Sequence, residues 1–476
     1  MVFSSVTFLF FFLPLVIAIY YVAPRRARNA VLLLASLGFY AWGTGWLVVP
    51  LIGSIGANYV LGLGVERAVD GGDRRRARIV LAIAVVMNVA LLCWFKYANF
   101  AVHTLNAAVA PPAHPVIAWT DVVLPIGISF YTFHSLSYLI DIYRGVARHL
   151  RDPLDFALYI TFFPQLIAGP IVRFHEIRDQ LIHRTESSGR FAGGVYRFIH
   201  GLGKKVLIAD SVAHIANAVF ATPTGQLNTS VALLGVLAYT VQLYFDFSGY
   251  SDMALGLAQM FGIKLPENFN RPYASRSITE FWRRWHMSLS RWFRDYLYIS
   301  LGGNRGSRTA TYRNLILVFL VTGFWHGANW TFLAWGAYHG LLLLIERVRG
   351  IGRDPSEVRT GILAQAQTVG LVMFGWILFR SPDLGYAAGF IAALGRPSLA
   401  VPLDVRLAAD PLAIICLVVG AASVLLPATW VTGVRLERAP SWGIRALRLA
   451  TVAVIFPAAI VFLVAGTFSP FLYFQF

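Results

Sequence analysis

The chain has 476 residues, of which 57% are hydrophobic and only 13% charged, and its mean hydropathy is +0.63. That balance excludes an ordinary soluble protein and implies a polytopic membrane protein. The formal charge of +17 does not indicate nucleic acid, because Lys and Arg cluster in short loops between apolar runs, and Cys93 and Cys416, each inside an apolar run, exclude a disulfide framework or a cysteine metal site.

The first apolar run, residues 3–22, is long enough to span, has no basic region before it and is followed by Arg25, Arg26 and Arg28. It reads as a retained first span with its N-terminus outside. The positive-inside rule places residues 25–28 and 74–78 in the cytoplasm, so two spans must fit between them. Residues 31–49 and 51–65 supply these, with Trp42 and Trp46 as interface anchors near the turn. Residues 79–95 then cross outward, the Pro-bearing stretch 99–119 is an external loop, and 122–140 returns to Arg144, Arg148 and Arg151. Residues 154–172, interrupted by Pro164, Gly169 and Pro170, are expected to be kinked or re-entrant. Residues 191–220 carry Arg197, Lys204, Lys205 and Asp210 at helical spacing and read as an interfacial or cavity-lining helix. Residues 231–263 suffice for two crossings, broken at 247–250.

Ser277-Ile278-Thr279-Glu280 has capping-box spacing and opens a predicted helix through Tyr296. On it Trp282, His286, Leu289 and Phe293 share an apolar stripe, while Arg283, Arg284, Arg291 and Arg294 form a basic one, the pattern of a helix lying along a membrane surface. The Arg-rich stretch 264–313 belongs on the cytoplasmic face. The next apolar run, 315–345, would measure roughly 46 Å as one helix against a hydrocarbon core of about 30 Å. It must break, and the place is Gly323-Phe324-Trp325-His326-Gly327-Ala328-Asn329-Trp330, where two glycines loosen the backbone and Asn329 can satisfy freed groups. Glu346, Arg347, Arg349 and Arg353 also look cytoplasmic, so the run dips and returns or crosses as a broken span. His326 is deep either way. Residues 362–379 cross outward, 412–430 return to Arg435 and Arg438, and 449–467 exit. The expected fold is all-α, with about 10–12 transmembrane helices and re-entrant or broken helices around an intramembrane tunnel. Residues 1–476 form one membrane domain without internal repeats.

A chain without a soluble domain must hold its chemistry among its helices. An ionisable residue at membrane depth is costly unless it faces a cavity or a partner, which makes His326 the first candidate against the plain alternative of a packed, neutral histidine. His286 is the second, against the alternative of an interface-facing packing residue. Asp246, in an aromatic-apolar segment, needs a partner: a histidine to orient, Tyr250 or Gln242. Asp246 and Asp252 stand about 240° apart on a continuous helix and do not form a carboxylate pair. His286, His326 and His339 lack short metal-ligand spacing, so no metal and no bound cofactor are expected. Trp325 and Asn329 are candidates for support. The cytoplasmic arginines suit coenzyme A phosphates and anionic lipid equally. A proton-coupled transporter, in which buried His and Asp form a relay, is the rival class, and inverted repeats would favour it.

FWRRWHMSLSRWFRDYLYISLGGNRG at 281–306, followed by Trp325-His326-Gly327, resembles the membrane-bound O-acyltransferase family. Similar too are LPIGISFY at 124–131, FPQLIAGP at 163–170, QLYFDFSGYSD at 242–252, MVFSS at 1–5 and the stretch 469–476. Met287 departs from the isoleucine expected beside His286. The resemblance implies that His326 is the catalytic base and His286 a second functional histidine lining the donor entrance. It implies transfer of an acetyl group from a cytosolic thioester, acetyl-CoA, through the bacterial inner membrane. The acceptor would be an exported polysaccharide, alginate or a similar exopolysaccharide, reached directly or through a periplasmic acetyltransferase partner. Cellulose and peptidoglycan are alternative acceptors. Such a transfer needs a base beside the hydroxyl and a dry cavity that suppresses hydrolysis.

Overall fold

The computed structural model describes residues 2–109, 116–351, 361–425 and 442–466. The fold is all-α, with no strand among the described residues. Five helical stretches there are long and apolar enough to cross a membrane: Arg25–Asp70, Arg74–Val109, Thr229–Met260, Ile362–Arg380 and Arg448–Ala465. Phe8–Val22, Leu384–Ala393 and Pro411–Val424 are apolar but shorter. The chain forms two compact units, Met1–Phe191 with Leu257–Pro266, and Ala192–Gly256 with Glu267–Phe476.

In the first unit, α1 (Leu13–Val22) follows a π-turn at Phe8–Phe12. α2 (Arg28–Thr44) and α3 (Val48–Asp70) are separated at Gly45, whose φ of 58° favours glycine. Trp42 and Trp46 beside that turn are 69% and 70% exposed, as interface anchors should be. α4 (Arg74–Val109) continues well into the stretch expected to be a loop. The reason lies in its asparagines. Asn99 Oδ1 accepts from Trp119 Nε1 and the Val122 N–H at 3.0 and 2.9 Å, and Asn106 Oδ1 accepts from the Ile117 N–H at 3.0 Å, so the following segment hangs on the helix and supports its last turns. Asn58 of α3 and Asn88 of α4 pair their amides, the polar glue that membrane helices use.

α5 (Ile128–Tyr143) is buried throughout Phe130 to Leu139 and starts after Gly127, at φ 80°. A Cβ there would meet the Leu166 carbonyl oxygen at 2.6 Å, so the two motifs LPIGISFY and FPQLIAGP are held backbone to backbone. The segment that follows is broken as expected from its prolines, into α6 (Pro153–Thr161) and α7 (Phe163–Leu166), before α8 (Phe174–Ile182).

The second unit begins within α9 (Ser188–Gly203), which passes through a π-turn at Lys204–Ala209 into α10 (Asp210–Ala221). α11 (Thr229–Met260) is one uninterrupted helix, which corrects the expected break at 247–250. Gly249 serves close packing instead. A Cβ on Gly249 would meet the Gly201 carbonyl at 2.8 Å, and one on Gly256 the Gly194 carbonyl at 2.6 Å, so pairs of glycines seven residues apart let α9 and α11 run backbone to backbone.

α12 (Ile278–Arg284) and α13 (Met287–Trp292) lead into a π-turn at Phe293–Tyr298. α14 (Arg308–His326) and α15 (Trp330–Val348) form a hairpin, followed by α16 (Ile362–Arg380), α17 (Leu384–Ala393), α18 (Leu403–Ala408), α19 (Pro411–Leu425) and α20 (Trp442–Ala465). Arg353, Arg435, Arg438 and the stretch 469–476 lie outside the described residues.

Candidate active site

The long apolar run breaks where its composition required. α14 ends at His326 because Gly327 turns extended, and Asn329 caps α15 by accepting the Thr331 N–H at 3.1 Å. The Asn329 amide also donates to the Pro382 carbonyl at 2.8 Å, which ties the knot to the end of α16. The two helices lie against each other through glycine. A Cβ on Gly323 would run into the Phe332 carbonyl, one on Gly336 into the Phe319 carbonyl, and one on Gly340 would sit 3.2 Å from Phe319 Cβ. His326 is therefore fixed at the hairpin tip and is 6% exposed. At 1.5 Å per residue it stands roughly 20 Å along the axis from Arg313.

His286 is held differently. Ser277 caps α12 by accepting the Glu280 N–H at 3.0 Å, as the spacing predicts, while the Glu280 carboxylate takes the Arg276 N–H at 2.8 Å. The predicted continuous helix to Tyr296 does not form. Asn270 N–H bonds the Arg284 carbonyl and Met287 N–H bonds the Asn268 carbonyl, both at 2.9 Å, which pulls the helix open at Trp285 and His286. His286 adopts φ 42°, ψ 54°, a left-handed conformation costing a non-glycine residue about 1–2 kcal/mol. Trp282, His286, Leu289 and Phe293 are nevertheless all buried.

The Asn268 side chain sets the tautomer of His286. Its Oδ1 accepts from the Ser288 N–H at 3.3 Å and the Ser288 hydroxyl at 2.8 Å, and its Nδ2 donates to Ser251 Oγ at 3.1 Å. The oxygen is thus an acceptor, and His286 Nδ1, 3.0 Å away, must carry the proton. The basic lone pair of the neutral ring is then on Nε2. His286 lies outside the membrane-crossing helices, and complete burial pushes its pKa down to about 3.

The two histidines meet at one tryptophan. The Trp325 ring stands 6.4 Å from His286 and 4.9 Å from His326, centroid to centroid. Trp335 and Phe379 approach His326 edge-on at 5.1 and 5.2 Å, and beyond Trp335 lies His339 at 5.0 Å. The result is a row of imidazoles partitioned by aromatic rings. Trp325 and Trp335 stand between the three histidines, and among the described residues no group of three His, Cys, Asp or Glu side chains is arranged to hold a metal ion.

Asp246, which needs a partner in its apolar segment, meets a cation. It forms an ion pair with Lys205 at 2.7 Å, and Lys205 also holds Asp210 at 2.7 Å. Asp252 pairs separately with Lys204 at 2.6 Å and Arg197 at 3.0 Å. Of the charges carried by residues 197–210, Arg197, Lys204 and Lys205 pair with carboxylates of α11. A buried carboxylate in an apolar helix needs a cation, and the π-turn at Lys204–Ala209 delivers two. Sequence reasoning missed Asn268, Trp335, Phe379 and Lys205. The spacing of Phe332, Trp335 and His339 on one helical face was a signal for Trp335; a lone Asn268 in an extended segment carries none.

The membrane-bound O-acyltransferase family model matches residues 144–360. The probable alginate O-acetylase of Azotobacter vinelandii is 52% identical over 400 residues, covering 83% of this chain and 78% of that protein. The protein of the same name in Pseudomonas putida is 44% identical, with both chains covered completely. A peptidoglycan O-acetyltransferase of Helicobacter pylori is 38% identical over 424 residues, 81% of this chain and 78% of that protein.

Proposed function

The chain belongs to the membrane-bound O-acyltransferase family, and from that premise we propose that it O-acetylates an exported polysaccharide, alginate or a close relative, from the bacterial inner membrane. The acyl donor is a cytosolic thioester, acetyl-CoA, and the acetyl group passes outward to the polymer or to a periplasmic acetyltransferase that acts on it. The observation that supports this best is the single tryptophan against which both His286 and His326 rest, with Trp335 and Phe379 edge-on to His326.

In this mechanism His326 accepts the proton of the attacking hydroxyl as its oxygen bonds to the thioester carbonyl carbon. The tetrahedral intermediate collapses, the carbon–sulfur bond breaks, and the thiolate takes the proton back from His326. The oxygen ester and free thiol are the products. His286, its lone pair directed to Nε2 by Asn268, assists from the donor side. The tryptophan and phenylalanine rings keep water from the thioester, which would otherwise hydrolyse.

Peptidoglycan is the second acceptor, favoured by the Helicobacter pylori relative. Purified protein supplied with radiolabelled acetyl-CoA and oligosaccharide tests the reading. Acetyl ester on the oligosaccharide and stoichiometric free thiol are expected, and a protein that binds but never cleaves the thioester would favour the rival transporter reading.

A further inference from the structure

α16 ends in an arginine that acetyl transfer at His326 does not use. If α16 leaves the cytoplasmic arginines that follow α15, Arg380 lies at its outer end, where the positive-inside rule makes arginine scarce. Its neighbours tie it to the site. Phe379 packs edge-on against His326 at 5.2 Å, and the Pro382 carbonyl accepts the Asn329 amide of the knot at 2.8 Å. In that orientation Arg380 stands at the external mouth of the aromatic row.

The guanidinium is held but not neutralised. Its carbon lies 5.8 Å from the Phe220 ring centroid and 5.9 Å from that of Tyr239, which fixes the plane of the fork. Nη2 donates to Asn217 Oδ1 at 3.0 Å, and no carboxylate pairs with Arg380 among the described residues. Nε, on the same edge, is buried without a hydrogen-bond partner, as is the Tyr239 hydroxyl. The Nε–Nη2 edge presents two parallel N–H groups, and the single oxygen of the exposed Asn217 amide satisfies one of them. A carboxylate in its place would satisfy both. A cation in the last turn suits the helix dipole, which accounts for a charge at this position but not for the unused Nε.

We propose that Arg380, with Asn217 and Tyr239 beside it, is a subsite for a carboxylate on the acceptor, of the kind a uronate sugar carries on every residue. This rests on the reading of the protein as an acetyltransferase toward an acidic polysaccharide, and it deepens that reading by assigning the group that distinguishes a uronate from a neutral hexose. Asn217 swings away as the carboxylate enters, and the fork holds the sugar next to the wall of His326.

Calorimetric titration of the purified full chain with an oligomannuronate, with its carboxyl-reduced neutral counterpart and with inorganic phosphate tests the proposal. The uronate should bind about tenfold or more tighter than the neutral oligomer, the ratio expected of a charge-assisted bidentate pair, and phosphate at equal concentration should not displace it. Arg380→Gln should bring both oligomers to the same affinity, and Arg380→Lys should recover only part of the difference. If Arg380→Gln does not fold, Asn217→Asp decides, because a fixed carboxylate beside the fork should exclude the uronate and not the neutral oligomer. Equal affinities in the wild type, or a preference that survives both Arg380→Gln and Asn217→Asp, would overturn the subsite. Displacement by phosphate as effective as by uronate would overturn the carboxylate in favour of a lipid headgroup. An enzyme that acetylates both oligomers alike retains the proposed function while losing this subsite, whereas one that acetylates neither loses both.

Discussion

His286 sits in a left-handed conformation with its Nδ1 proton committed to Asn268, so its tautomer depends on a second residue. Asn268→Ala should lower polymer acetylation about 10- to 100-fold, the scale on which a metal-bound histidine suffers when it loses its orienting partner, and Asn268→Asp, which keeps an acceptor oxygen, should recover part of it. Equal loss in both variants would make Asn268 a packing residue. Burial also couples His286 to pH. Its folded pKa of about 3 lies below the unfolded value of about 6.5, so as pH falls from about 6.5 toward 3 the unfolded chain binds a proton that the folded one refuses. Stability is lost over that window, and the fall in melting temperature between pH 7 and pH 5 should be smaller in His286→Gln than in the wild type. The Lys205–Asp246 pair is 4% and 1% exposed, and Lys205→Met alone should cost about 3–5 kcal/mol by leaving a buried carboxylate uncompensated. Lys205→Met with Asp246→Leu should cost less than either alone, measured by thermal unfolding in detergent. The burial of His326 and His286 was legible at this scale because a histidine among apolar residues is conspicuous. The partner of Asp246 was not, since Lys205 lies forty-one positions away in a segment whose charges also satisfied a surface reading.

The elements were legible where apolar length forced a decision and illegible where packing did. The run at 315–345 was too long to stay whole, and it breaks between His326 and Trp330. α11 has the same kind of glycine at position 249 yet does not break, because that glycine faces the backbone of α9. Hydropathy registers a glycine but not what it touches. The opening between α12 and α13 depends on backbone bonds from residues 268 and 270, a tertiary effect that overrides a good amphipathic stripe. The hairpin that carries His326 should be correspondingly intolerant at Gly336. Gly336→Val would drive a side chain into the Phe319 carbonyl and should cost roughly 1–3 kcal/mol or more, seen as lost folded protein in membranes. Gly53→Ala on α3, with open space around it, should leave the yield unchanged.

At the scale of the whole molecule, composition alone established a polytopic all-α membrane protein, and the excess of basic residues in loops explained a charge of +17 without nucleic acid. Five stretches meet the length and apolarity of a span among the described residues, and one of them, Arg25–Asp70, holds both α2 and α3. Helices such as α14 and α15 carry polar residues along an otherwise apolar run and stand outside that set. The proposed chemistry accordingly sits where hydropathy is compromised, at the tip of a hairpin packed with tryptophan and phenylalanine. The most direct test is polymer acetylation in cells producing the wild type or His326→Ala, with the amount of each protein in the membrane measured alongside. The account predicts His326→Ala at normal levels and a polymer without acetyl groups. Acetylation persisting at the wild-type level would make His326 a packing residue and contradict the mechanism.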